Sequence, residues 1–124
     1  MNFLIVFLGG GLGAALRHAV NVLFTPAGGA SFPYATMGIN VVGSFMMGAI
    51  VGFFALQGQT SQHWRLFLTT GILGGFTTFS AFSLEAVLLY ERGQHVPAAL
   101  YVSLSVVLAI LGLVAGLSLM RAFL

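Results

Sequence analysis

Charged and strongly polar residues are spaced so that they leave four long apolar stretches. Met1 to Leu16 carries no charge; Arg17, His18 and Asn21 interrupt the run, which then continues to Phe24. Tyr34–Leu56, Leu66–Leu84 and Val96–Met120 are uncharged throughout. A helix needs about 20 mostly apolar residues to cross the hydrocarbon core of a bilayer. The pattern predicts spanning helices over residues 3–24, 34–56, 66–90 and 96–120. The first stretch lacks the basic start and small-residue cleavage site of a signal peptide, so it reads as a first span holding one buried arginine. The connections are Thr25–Pro33, dense in turn residues, the polar Gln57–Trp64, ending in an interfacial tryptophan, and Glu91–Pro97. The expectation is an all-α membrane protein, one four-span domain over residues 1–124, with nothing outside the membrane large enough to fold separately.

Composition supports the same class. Apolar residues make up 59% of the chain and charged residues 5%, against about 25% charged in an ordinary soluble domain. The charges are Arg17, Arg65, Arg92, Arg121, Glu85 and Glu91. These cannot cover the surface of a soluble domain, and a net charge of +2 is too scattered to bind nucleic acid. The absence of cysteine excludes disulfides, thiolate catalysis and Cys-ligated metals.

Orientation is weakly specified. With four spans, Arg65 and Arg121 lie on one side and Arg92 on the other, while Arg17 lies inside a span. So slight a positive-inside bias allows insertion either way up, and the two orientations could meet in an antiparallel dual-topology homodimer. The plainer alternative is that a small protein simply has few loop charges.

The 17 glycines include one GxxxG per span: Gly9/Gly13, Gly48/Gly52, Gly71/Gly75 and Gly112/Gly116. Small residues four apart let helix backbones approach closely, which speaks to packing and not to chemistry. Gly9–Ala14 also matches a dinucleotide-binding fingerprint. That fold needs an acid about 20 residues further on, and the first acid here is Glu85, so the match is accidental. Gly71–Ser80 has no lysine and is not a phosphate loop.

Polar residues inside spans carry the functional signal, because they are expensive in lipid and usually face a protein interior or a water path. Thr36, Asn40 and Ser44 form one stripe; Tyr101 and Ser105 form another; Thr77–Ser83 is a dense hydroxyl run. These are donors without fixed charge, whereas a cation pore would show carboxylates or carbonyl rings. Interhelical hydrogen bonding is their ordinary alternative role. Gly74-Gly75 followed by Thr77-Thr78 should weaken the third helix halfway along. A break at that depth is tolerated only where it is buried or lines a cavity, and freed carbonyls suit a small hard cation. Phe79 and Phe82 share a helix face. Their positive ring edges could attract an anion, unless the rings only pack or face lipid.

These stretches resemble the Fluc/CrcB fluoride channels over almost the whole chain. Gly9-Gly-Gly-Leu-Gly-Ala-Ala-Leu-Arg17 looks like the family's first-helix signature, and Ala35–Phe45 is similar to its G-T-x-x-x-N-x-x-G-S-F stretch. Gly71–Glu85 resembles its most specific motif, G-x-x-G-G-x-T-T-F-S-T-F-S-x-E. The departures are Ala35 for glycine, His18 where an aromatic is common, and Ala81 for threonine, which removes one hydroxyl near the rings.

The resemblance implies an antiparallel dual-topology homodimer with two pores in a bacterial plasma membrane, passing fluoride outward passively and without enzymatic activity. Phe79 and Phe82 would match the ring pair on the fluoride path, Asn40 the pore asparagine, and Thr36, Tyr101 and Ser105 further polar pore groups. Arg17 would match the vestibule arginine and Glu85 the acid closing the motif. The backbone carbonyls of Gly74 and Thr77 from both subunits would hold a structural sodium ion. Two rival classes are weaker. A small multidrug-type proton-coupled transporter needs a carboxylate deep in a span, where the first span offers Arg17. A haem-anchoring subunit would have to use His18, the only histidine inside a predicted span.

Overall fold

The computed structural model describes residues 1–25, 32–57 and 62–123. Most of the first two expected turns, residues 26–31 and 58–61, lies outside the described residues. Everything regular among them is helical: α1 (Asn2–Phe24), α2 (Tyr34–Gln57), α3 (Gln62–Leu66), a π-helical stretch (Phe67–Leu73), α4 (Gly74–Phe76), α5 (Phe79–Glu91) and α6 (His95–Phe123). From α3 to α5 the chain forms one interrupted span. Four stretches are long and apolar enough to cross a membrane: Asn2–Phe24, Tyr34–Ala55, Gln62–Glu91 and His95–Phe123.

Two stretches expected in loops are helical, and α6 runs on past Met120 to Phe123. The third span begins at Gln62, so His63 and Trp64 are helical and not part of a loop. Entering as a helix lets the backbone satisfy its own polar groups, while Trp64 stays exposed and meets Phe67 edge-to-face at 6.0 Å. His95, expected in a loop, opens α6. The turn before it is tight. Gln94 N–H donates to the Leu89 carbonyl and Gly93 N–H to the Tyr90 carbonyl, both at 3.0 Å. Gly93 takes φ +81°, a left-handed conformation that suits glycine at such a helix end. Pro97 sits in the first turn of α6, where a missing N–H breaks no helical bond.

The four GxxxG motifs resolve into two packed pairs. Gly9 rests on Gly71, and a Cβ added at Gly13 or Gly75 would overlap the Ile72 or Gly10 carbonyl. These contacts lay α1 along the first half of the third span. A Cβ at Gly48 or Gly116 would likewise overlap the Leu113 or Phe45 carbonyl, which seals α2 against α6. α5 leaves the first pair and packs mainly on α6. The interruption between α4 and α5 therefore hands the third span from one glycine-sealed pair to the other.

Burial is inverted relative to a soluble domain. Phe3, Phe7, Leu23 and Ile110 are exposed on the outside, as lipid contact allows. The most buried side chains are Tyr101, Ile39, Leu89 and Thr36. Tyr101 joins Phe82, Leu89 and Ala98 in the small core between α5 and α6.

Candidate functional site: an interrupted helix beside a polar groove

The site begins where the third span stops being helical. Thr77 (φ −77°, ψ 155°) and Thr78 (φ −150°, ψ 119°) are extended. Within the stretch expected to be weak, Gly74 and Gly75 remain helical, and the break falls on the β-branched pair, whose side chains favour extended backbone and whose polar groups find replacement partners.

Those partners come from three sides. Thr78 N–H donates to Asn40 Oδ1 at 2.8 Å, and Asn40 Nδ2 donates to the Thr78 carbonyl at 3.0 Å. Ala81 N–H donates to Thr78 Oγ1 at 3.1 Å, which caps α5 in the usual N-terminal manner. Arg17 Nε donates to the Gly75 carbonyl at 3.2 Å. The Thr77 hydroxyl turns back to the Leu73 carbonyl at 2.9 Å.

Two carbonyls lose their helical donors as a result. In an α-helix each N–H bonds the carbonyl four residues earlier. The Thr78 amide, due to Gly74, goes to Asn40, and the Ala81 amide, due to Thr77, goes to the Thr78 hydroxyl.

Beside the break lies a groove of about 390 Å³ lined by Asn40, Ser44, Thr77, Thr78, Phe79, Phe82 and Ser105, with Met47, Val106, Ala109 and Leu113 as its apolar wall. Phe79 is 78% exposed and Phe82 only 8%; their ring centroids are 5.5 Å apart. From Phe82 the aromatic contacts continue to Tyr101 at 5.2 Å, to Phe32 at 5.5 Å edge-on, and to Tyr34 at 4.8 Å. Phe32 and Tyr34 had no role in the sequence reading. The available signal was their position at the start of α2, where aromatic residues favour the membrane interface.

The remaining polar residues divide into two groups. Ser105 Oγ, in the groove, and Tyr101 Oη are buried without a hydrogen-bond partner among the described residues. Thr36 Oγ1 donates to Glu85 Oε1 at 2.6 Å, with Tyr101 beside that pair. Thr36, Glu85 and Tyr101 thus gather nearer the α2 N-terminus, while Asn40, Ser44 and Ser105 lie deeper along the same helices. Arg17 stands on the far side of the break and does not line the groove. The lining offers hydroxyl and amide donors and ring edges, and no carboxylate. No group of three or more His, Cys, Asp or Glu side chains stands together among the described residues.

The family model described as "CrcB-like protein, Camphor Resistance (CrcB)" matches residues 4–117. The chain belongs to the CrcB family. It is 63% identical over 122 residues to a protein of Rhodopseudomonas palustris (strain BisB5) named fluoride-specific ion channel FluC, with 98% of both chains covered. It is 60% identical over 121 residues to fluoride-specific ion channel FluC 2 of Nitrobacter hamburgensis, again with 98% of both covered. A FluC of Methylobacterium nodulans is 58% identical, covering 99% of this chain and 98% of its own. In this CrcB chain the stretch Gly71–Glu85 builds the glycine contact with α1, the break, the ring pair and the acid bonded to Thr36, so one continuous segment supplies most of the site.

Proposed function

We propose that this chain is a fluoride-specific channel through which fluoride leaves the cytoplasm down its electrochemical gradient. The observation that carries the reading is near-full-length identity to proteins named fluoride-specific ion channels, in a chain whose groove combines ring edges with neutral donors. Fluoride is small and strongly hydrated, so a path for it must replace water with close donors. Asn40 and Ser105 supply N–H and O–H groups in the groove, the unpartnered Tyr101 hydroxyl a further O–H nearer the α2 N-terminus, where Thr36 gives its own hydroxyl to Glu85, and Phe79 and Phe82 supply positive ring edges. No bond is made or broken in this process, so the protein acts as a channel and not as an enzyme.

The working unit is an antiparallel homodimer in the bacterial inner membrane. Support comes from the groove itself. Polar groups at membrane depth do not face lipid, yet in one chain the groove is open and Phe79 stands 78% exposed. A second copy would close that wall. The weak arginine asymmetry of the loops permits the opposed orientation.

A structural sodium ion fits the donor set at the break. The Gly74 and Thr77 carbonyls lack their helical N–H partners, and Gly74 lies exposed on the surface of the chain. Two such carbonyls from each subunit would give four neutral oxygens, which suit a small hard cation. Its charge would favour an anion in an otherwise neutral path. This chain's own residues hold the carbonyls in place and line the groove.

The test is ion efflux from liposomes containing the purified protein. Rapid fluoride release with no chloride release supports the channel. Equal rates for the two anions, or no flux, would refute it.

A further inference from the structure

We propose that Asn40 is a positioning residue that holds the third span open: its carboxamide captures the Thr78 peptide and so keeps the Gly74 carbonyl free, with Arg17 securing the opposite edge at Gly75. The role in presenting carbonyls rests on the sodium reading above; the role in holding the break does not.

An interrupted helix inside a membrane tends to re-form, because unpaired peptide groups are costly where no water can satisfy them. Here the Thr78 amide and carbonyl both bond the Asn40 carboxamide, at 2.8 and 3.0 Å. A carboxamide offers an acceptor and a donor side by side, so one side chain replaces the lost helical acceptor of the Thr78 amide and adds a donor to the Thr78 carbonyl, which as the N-cap also opens the α5 ladder. On the other side, the Gly75 carbonyl would be due the Phe79 amide across the break; it takes Arg17 Nε instead at 3.2 Å. The approach of α2 that makes this possible is local. Gly43, less than one turn beyond Asn40, lies so close to the break that a Cβ there would overlap Thr77 Cγ2. Asn40 also lines the groove, and its Nδ2 carries a second N–H beyond the one given to Thr78, so holding the break and lining the path are compatible.

The experiment is solid-state NMR of the full-length chain in bilayers, with threonine labelled at its carbonyl carbon, α-carbon and amide nitrogen. The chain has two Thr–Thr pairs, Thr69-Thr70 and Thr77-Thr78, and only the second is extended, so the Thr78 signal is identifiable. Wild type should show extended shifts at Thr78. Asn40→Leu should move them toward helical values, and should raise the sodium chloride concentration for half-maximal dimer retention at least tenfold. Asn40→Asp keeps the acceptor for the Thr78 amide. It should leave the shifts extended while moving the Thr78 amide proton downfield, which keeps the test open if the leucine variant does not assemble. Extended, unmoved Thr78 shifts in Asn40→Leu, or a Thr78 amide proton insensitive to Asn40→Asp, would overturn the proposal. A helical Thr78 in Asn40→Leu, with wild-type assembly indifferent to sodium, supports the hold on the break and removes the cation from it.

Discussion

Thr36 donates its hydroxyl to Glu85 Oε1 at 2.6 Å, joining α2 to α5 across 49 residues of sequence. Thr36 is only 2% exposed, so each partner satisfies a group that would otherwise be desolvated for nothing. Thr36→Val keeps the shape and deletes the donor; it should destabilise the folded protein by about 1–3 kcal/mol. Glu85→Gln keeps an acceptor oxygen in the same place and should cost under about 1 kcal/mol. Denaturant unfolding in detergent compares the two; equal losses would show that this bond contributes little to stability.

The ring pair should separate transport from packing. Phe79 is largely exposed and Phe82 buried against Tyr101. Phe79→Ile should leave the dimer folded and abolish or greatly reduce fluoride efflux, because bulk survives and the ring edge does not. Phe82→Ile should lose flux as well, with a stability cost of roughly 1 kcal/mol from imperfect repacking. Efflux and unfolding measured on the same samples decide it. Full flux in both variants would place the ion path away from α5.

The glycine contacts make an internal comparison. Alanine at Gly13 or Gly116 would drive a Cβ into the Ile72 or Phe45 carbonyl, while alanine at Gly11 meets nothing within 4 Å. Gly13→Ala and Gly116→Ala should each cost about 1–3 kcal/mol through forced helix separation. Gly11→Ala should be neutral or slightly stabilising, since alanine is the better helix former. Thermal stability in detergent reads all three.

Dual topology is checked by labelling. The chain has no cysteine, and Ala122 is exposed near the end of α6. Ala122→Cys in oriented vesicles should react with a membrane-impermeant maleimide to about half its total before permeabilisation, with the rest reacting afterwards. Complete reaction from one side alone would mean a single orientation.

The sequence by itself determined the all-helical, four-span architecture, because the spacing of charges against bilayer thickness is a one-dimensional property that needs no knowledge of neighbours. It also carried the GxxxG faces and the family motif, and the weakness of the third helix near its midpoint. Which glycine face meets which was decided only in three dimensions: any of the four motifs could pair with any other, and backbone approach selected α1 with the first half of the third span and α2 with α6. The position of the break belongs to tertiary structure for the same reason. Propensity pointed to the whole stretch from Gly74 to Thr78, and within it a break at membrane depth forms where other groups can take over the lost hydrogen bonds. Asn40, 38 residues away in sequence, and Arg17, 58 away from its acceptor, supply those groups around Thr77-Thr78 and Gly75. Periodicity placed Asn40 and Arg17 inside spans. Only folding could bring them to the two edges of one interrupted helix.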